Sequence, residues 1–452
     1  MLPPVTAFRR PIAAICVSLM VLVSCAEGHD QHSQLREVKP SPRVIELETP
    51  GSGPDSDLRV FATWIGDARV VQLGELGHGD GTSFVERTRL VRFLHDQLGF
   101  NVLAFESGFF EGGDVAEALE SEHPIAEALS LGVYPIWALS EQMQPLFEYV
   151  REAASSDKPL AFWGFDAQSS SANSGHRFVT GLAQELGQQG HPLNTNDLHQ
   201  LELLTQAANL STRVDLDAEA HQQNLKIVEK VKQILGSQST PSRWSRSLEN
   251  VAAMEQSLYL RQDAPGFNPA DPDATLRHPS VIEGGNLRDR AMAESLLWIL
   301  GSDPKAKIVV WAANTHVAYR YLEESIAIDG ETVLRKPAGQ YIREALDIDV
   351  FTVLTVTYEG RWAAPSIERE GEWLWTSGEY PPAREGSLAF QLAEQGFEHA
   401  LVDIREDPNQ YTDRHSLFGS DPVDFSTFCD AILFIRTMQP SVKISEDSST
   451  PG

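Results

Sequence analysis

Residues 70–106 read VVQLGELGHGDGTSFVERTRLVRFLHDQLGFNVLAFE, and the order of their parts decides the fold class. Val70 to Leu73 is a short apolar run that breaks into a glycine-studded turn bearing Glu75 and His78. An amphipathic helix is expected over about 82–98, followed by a second apolar run, Val102 to Phe105, capped by Glu106. Strand, loop, helix, strand is the unit of a parallel sheet. Further strands are expected over 160–165, 307–312, 350–356, 400–404 and 431–435, separated by helical stretches. The pattern predicts an α/β class with a mainly parallel central sheet flanked by helices.

In such sheets ligands bind outside the carboxyl ends of the strands. Glu75, His78 and Glu106 all fall there. Two more expected strands end the same way: LAFWGF runs into Asp166, and KIVVWAA runs into Asn314 and His316. Carboxylates beside a histidine that titrates near neutral pH are the parts of a general acid/base or metal site. Asp166 and Asn314 are expected to bind substrate. Each residue also has a plain structural alternative. Glu75 would cap a turn, His78 would be a satisfied loop histidine, Glu106 would start a helix, and Arg87 would pair with Glu86 or near Asp80 on its helix surface.

Around this core the chain is organised in segments. Arg9 and Arg10 precede an apolar run from Ile12 to Val23, too short for a stable span, and Leu22-Val23-Ser24-Cys25 follows. This has the form of a bacterial lipoprotein signal over 1–24, with Cys25 as the lipidated first mature residue and residues 25–56 as a polar tether. The folded domain is expected over 57–438, with a disordered tail over 439–452. Between about 197 and 262, apolar residues recur at helical spacing and predict an inserted helical subdomain. The Pro- and Gly-rich loop over 263–279 follows it, as a lid or a plain connection.

The formal net charge is −28, and loss of residues 1–24 takes two arginines and no acids, leaving −30. So acidic a chain would repel phosphate, which argues against nucleic acid as a partner. Of the three cysteines, Cys16 leaves with the signal and Cys25 carries the lipid, so Cys429 stands alone and no intrachain disulfide is expected.

GELGHG with Arg87, AFE ending in Glu106, WGFD, NLRDRAM, WAANTHVA, KPAGQYIREAL and FCDAILFI together resemble the erythromycin esterase family of bacterial hydrolases, in order and spacing, from about Leu58 to Ile435. The resemblance implies that His78 is the general base, that Glu75 and Glu106 are the active-site glutamates and Arg87 the active-site arginine, and that His316 is the last histidine of the Trp-Ala-His-Asn-x-His stretch. Two positions depart from the pattern. Ala313 stands where the family has the first histidine of that stretch, and Pro337 and Ala338 precede Gly339 where it has Met-Gly.

No Gly-x-Ser-x-Gly elbow occurs, and Cys429 lies on an apolar run, so a serine or cysteine nucleophile is not expected. Attack by water on an ester or lactone remains, with a carboxylate supporting His78 and with Arg87 or His316 facing the developing oxyanion. No cofactor is expected. Two rival readings use the same residues. One is a metal- or haem-binding surface lipoprotein, in which His78, Glu75, Glu106 and Asp166 hold a divalent cation. The other is a binding module that has lost catalysis.

Overall fold

The computed structural model describes residues 43–48, 55–121, 123–171, 173–209, 216–236, 242–262, 264, 278–321, 326–328, 331–367, 373–407, 409, 411 and 424–445. The first part holds β1 (Val44–Glu46), α1 (Leu58–Ile65), β2 (Val70–Glu75), α2 (Gly81–Leu98), β3 (Val102–Gly108), α3 (Phe109–Leu119), α4 (Ile125–Ser130), α5 (Pro135–Ala138), α6 (Gln144–Ala154) and β4 (Ala161–Asp166). Four helices follow: α7 (Ser174–Gln188), α8 (Thr195–Ala207), α9 (Ala218–Leu235) and α10 (Arg243–Arg261). Next come α11 (Pro279–Ser302), β5 (Ile308–Ala313), α12 (Asn314–Val317), β6 (Ile326–Ile328), β7 (Glu331–Val333) and α13 (Ala338–Leu346). The last elements are β8 (Val350–Ile367), β9 (Trp373–Tyr380), α14 (Leu388–Glu394), β10 (His399–Asp403) and β11 (Ala431–Met438).

The central sheet runs β1-β10-β11-β8-β2-β5-β3-β4, with β9 paired to β8 outside this path. From β11 to β4 every neighbour is parallel, while β1, β10 and β9 pair antiparallel. The parallel strands are apolar on both faces because helices cover both. Val71, Leu73, Leu103, Phe105, Val309 and Trp311 pack on one side with α1, α2 and α6. Val70, Val102, Ala104, Ile308, Val310 and Ala312 face the other way, onto α11, α13 and α14. The period-2 alternation of one run of residues thus feeds two cores.

The helical insert has a core of its own. Phe178, Leu182 and Leu186 of α7 pack with Leu201 and Leu204 of α8, Ile227 and Val231 of α9 and Leu248 of α10. It therefore starts at Ser174, earlier than the boundary at 197 read from sequence, because the apolar face of α7 belongs to this cluster.

Two segments read as unstructured are built into the fold. Val44–Glu46, assigned to the tether, forms β1 against β10. Residues 439–445, assigned to the tail, cross the loop after β2 and bond to it. Neither has apolar periodicity, and both are held by backbone hydrogen bonds to distant strands and loops, which periodicity does not report. The leader over 1–24, Cys25 and nearly all of the 263–279 loop lie outside the described residues.

Candidate functional site

β2, β5, β3 and β4 are consecutive neighbours, so their carboxyl ends form one continuous edge. That edge gathers Glu75, His78, Glu106, Asp166 and His316. Each arrives through a local device. Glu75 is the last residue of β2, and the chain then turns through Gly79 at a φ of 100° before Asp80 caps α2. L side chains rarely adopt that φ, and a Cβ at Gly79 would meet the Ala363 carbonyl oxygen at 2.4 Å. Glu106 sits in a register shift of β3 against β4, where Phe105 faces Gly164 but Gly108 faces Asp166. Such a bulge re-aims the side chain it carries. His316 lies in the one-turn helix α12, directly after β5.

On one side of the edge Glu75 is fully buried and collects three donors. His78 Nδ1 bonds Glu75 Oε1, Arg87 Nη2 bonds Glu75 Oε2, and Trp137 Nε1 donates to Oε2 at 3.3 Å. The Trp137 ring also meets His78 edge-on, with centroids 5.2 Å apart. Burial alone would raise the Glu75 pKa, but the charge of Arg87 and the bonds from His78 and Trp137 hold it below the usual carboxylate range. Burial would lower the pKa of His78, yet the hydrogen bond and charge of Glu75, with Glu106 beyond, raise it.

Arg87 does not reach the cleft. Its side chain is 1% exposed, its Nη1 donates to the Leu73 carbonyl at 3.2 Å, and its guanidinium lies 3.7 Å from the Trp311 ring centroid. The expectation that Arg87 faces an oxyanion therefore gives way to a support for Glu75 from beneath. Nor is it a helix-surface ion pair. Asp80, on the same loop, accepts from Ser83 N at 3.1 Å through one oxygen, while the other is buried without a partner. Burial pushes the Asp80 pKa up to about 6.

The other side is organised by α11. Arg288 binds Asp166 through both Nε, at 2.9 Å, and Nη2, and its Nη2 lies 3.6 Å from Glu106 Oε1. Asp289, the next residue, takes His316 Nδ1 at 2.6 Å, while His316 Nε2 lies 3.4 Å from Glu106 Oε1. Glu106 Oε2 accepts from Ala313 N at 2.7 Å. Burial would lower the pKa of Arg288, but Asp166 and Glu106 keep it above its ordinary value. A fifth of the Arg288 side chain remains exposed, about as much as for His78.

Two expected substrate contacts are committed elsewhere. Asp166 is fully buried, with its oxygens taken by Arg288 and by Gln168 N at 2.9 Å. Asn314 donates to the Thr355 carbonyl at 2.8 Å and accepts from Thr355 N at 3.1 Å, which ties the end of β5 to β8. A side-chain amide so placed completes the backbone pairing of a neighbouring strand, and Asn314 is buried as it does so.

Sequence reasoning missed Arg288 and Asp289 as site residues, although both stand in the quoted NLRDRAM. They lie within a long helix, where charged residues ordinarily mark the solvent face. The signal present was an adjacent arginine and aspartate in the helix that precedes the strand leading to His316.

The family model described as erythromycin esterase matches residues 95–420. The chain is 27% identical over 418 residues to the putative hydrolase YbfO of Bacillus subtilis (strain 168), covering 86% of this chain and 88% of that protein. It is 25% identical over 386 residues to the erythromycin esterase type II of Escherichia coli, covering 80% and 87%. Among solved structures, a mutant of the erythromycin esterase EreC in its open conformation superposes with a TM-score of 0.66 at 16% identity, covering 87% of this chain and 96% of that one. A Bacillus cereus protein superposes with a TM-score of 0.64, also at 16% identity, covering 89% and 97%. At that identity the superpositions speak for the fold.

Proposed function

The chain belongs to the erythromycin esterase family and is a hydrolase, and from that premise we propose that it cleaves a carboxylic ester or lactone with water activated by His78. The observation that carries this reading is the bond from His78 Nδ1 to the buried Glu75, which fixes the ring and leaves Nε2 as its free nitrogen. In the proposed reaction Nε2 takes a proton from water as the water oxygen bonds the carbonyl carbon. The carbonyl oxygen, gaining charge, faces Arg288, the partly exposed cation beside Glu106. Collapse expels the alkoxide, which takes the proton back from His78. Since the base works when neutral and its pKa is raised, the rate should climb with pH through a value above about 6.5.

A macrolide-type macrolactone is the proposed substrate class, on the strength of the family and the Escherichia coli relative. The test is incubation with a panel of macrolactones and simple esters, read as a mass gain of one water, with and without chelator. Loss of activity on chelation would replace this mechanism with metal-bound water. The donor set favours the metal-free route, because Glu75 and Asp166 each bind an arginine and a guanidinium repels a cation. Among the described residues no group of three or more His, Cys, Asp or Glu is placed to hold a metal ion.

We also propose that Cys25 carries a lipid that tethers the enzyme outside the cytoplasm, on the evidence of the Leu22-Val23-Ser24-Cys25 sequence. Cys25→Ser should release the protein from the membrane fraction or leave it unprocessed.

A further inference from the structure

The stretch after β11 has no part in the reaction just described, yet it touches both segments that carry the Glu75–His78–Trp137 group. On the first segment, Gly81 N donates to the Gln439 carbonyl and Ser441 N to the Gly79 carbonyl, both at 2.9 Å, so that Asp80 and Pro440 stand opposite each other as an antiparallel bridge. Gln439 N adds a bond to Thr82 Oγ1 at 2.9 Å. On the second segment, Glu141 N donates to the Val442 carbonyl at 2.8 Å and Ile444 N to the Leu139 carbonyl at 3.0 Å, bridging Ser140 and Lys443. Ser441 Oγ bonds Ser140 Oγ at 2.7 Å, and Val442 N donates to Gln142 Oε1 at 2.9 Å.

The two segments meet at the histidine. The first holds His78 one residue before Gly79. The second follows directly on α5, whose Trp137 lies edge-on to His78 and donates to Glu75. The Gly79 carbonyl takes a second donor, Ala363 N at 3.1 Å, so the peptide after Gly79 is pinned from β8 as well. Apart from Ser441, which is buried, the strap contributes little core: Gln439, Val442 and Lys443 are exposed. Its bonds to the two loops run mostly through the backbone, which costs little in sequence and fixes geometry.

We infer that residues 439–445 form a positioning strap for His78, locking the loop after β2 to the segment after α5 so that the imidazole keeps its bond to Glu75. The strap rests on the reading of His78 as the base for its catalytic consequence, but not for its structural one. Released from the strap, the loop would let His78 leave Glu75, and the influence that raises the pKa of the ring would fade. A position shift of this kind is enough to cost catalysis while the core stays folded.

The test compares the full chain with a chain ended after Met438, and with one ended after Ser445 as control. Three quantities are read: melting temperature, the NMR titration of the His78 ring, and hydrolysis of p-nitrophenyl acetate. The chain ended after Met438 should melt within a few degrees of the full chain. Its His78 pKa should fall toward the ordinary value of about 6.5, and kcat should drop by at least about tenfold with KM changed less than threefold. A synthetic peptide of residues 439–445 should restore both the titration and kcat, and the chain ended after Ser445 should match the full chain. A folded chain ended after Met438 with an unchanged His78 titration overturns the strap. If that chain fails to fold, Ser441→Pro in the full chain removes the donor to Gly79 and, with the hydroxyl, the bond to Ser140, one tie to each loop, and an unchanged titration there overturns the proposal equally. If the titration shifts while hydrolysis is unaffected, the strap stands and the assignment of His78 as base falls. Where the ester is not turned over, the titration decides alone.

Discussion

On one wall of the site Glu75 holds His78 and Arg87; on the other Glu106 stands beside His316 and Arg288. Residue types repeat, but the connections are reversed. The first wall spends its arginine underneath, buried against Trp311, and leaves its histidine with one free nitrogen and a fifth of its side chain exposed. The second spends its histidine between Asp289 and Glu106 and leaves the arginine partly exposed. A histidine with a free nitrogen can take a proton from an attacking water; one with a carboxylate at each nitrogen has neither nitrogen turned to that water. A buried guanidinium supports a carboxylate, whereas a partly exposed one meets substrate charge. Division of labour between the walls thus follows from which group each pair keeps in the open.

The comparison breaks most sharply on the two histidines. His78→Ala should lower turnover by roughly 10²–10⁴-fold while melting stays nearly unchanged, because Glu75 keeps Arg87 and Trp137 as partners. His316→Ala should do the reverse in balance. It leaves Asp289 and Glu106, both buried, without the ring between them, so stability suffers first. Purified variants compared by kcat and by thermal unfolding decide it. If His78→Ala hydrolyses normally, the base belongs on the second wall. Glu106→Gln should also lower turnover, because it removes the charge beside Arg288 and part of the charge that raises the pKa of His78.

A second comparison concerns the arginine hidden beneath the first wall. Arg87→Met removes the counter-charge of Glu75, a carboxylate with no exposure of its own. Removing one member of a buried pair costs about 3–5 kcal/mol, enough to unfold a marginal domain. The expected outcome is poor expression or a midpoint in urea lowered accordingly. An Arg87→Met chain that is stable but inactive would mean that Arg87 acts on substrate after all.

How much of this was legible in the sequence depends on how local each signal is. The strands β2, β3, β4 and β5 could be read because a run buried on both faces is apolar throughout and because glycine marks the turn after β2. Their carboxyl ends then placed Glu75, His78, Glu106 and His316 on one edge. The roles of Asp166 and Asn314 were misread, since a polar residue at a strand end looks the same whether it faces a ligand or a neighbouring backbone. Arg288 and Asp289 went unassigned because their partners are remote in the chain, Asp166 being 122 residues away from Arg288. The strap over 439–445 was read as disordered, since backbone pairing to a loop some 360 residues earlier leaves no pattern in side chains.

The smallest expected effect probes whether the first wall is electrically balanced. Asp80 is fully buried, caps α2 through one oxygen and leaves the other unpartnered, with its pKa pushed up to about 6 from 3.8. Because the folded value lies above the unfolded one, the group contributes stability below about pH 3.8 and loses it as pH rises through about 6. At pH 8 the ionised carboxylate is therefore a burden of about 3 kcal/mol, two pKa units at about 1.4 kcal/mol each. Asp80→Asn lifts that burden and keeps the cap, since asparagine caps nearly as well. It gives up the attraction of an anion to the helix N-terminus, about 0.3–1 kcal/mol. The variant should thus be more stable than the parent by about 2 kcal/mol at pH 8, and the advantage should vanish near pH 4. Urea unfolding at both pH values measures it. A variant less stable at pH 8 would show that Arg87 already compensates Asp80 as well as Glu75, and that the crowding of carboxylates on the first wall carries no penalty.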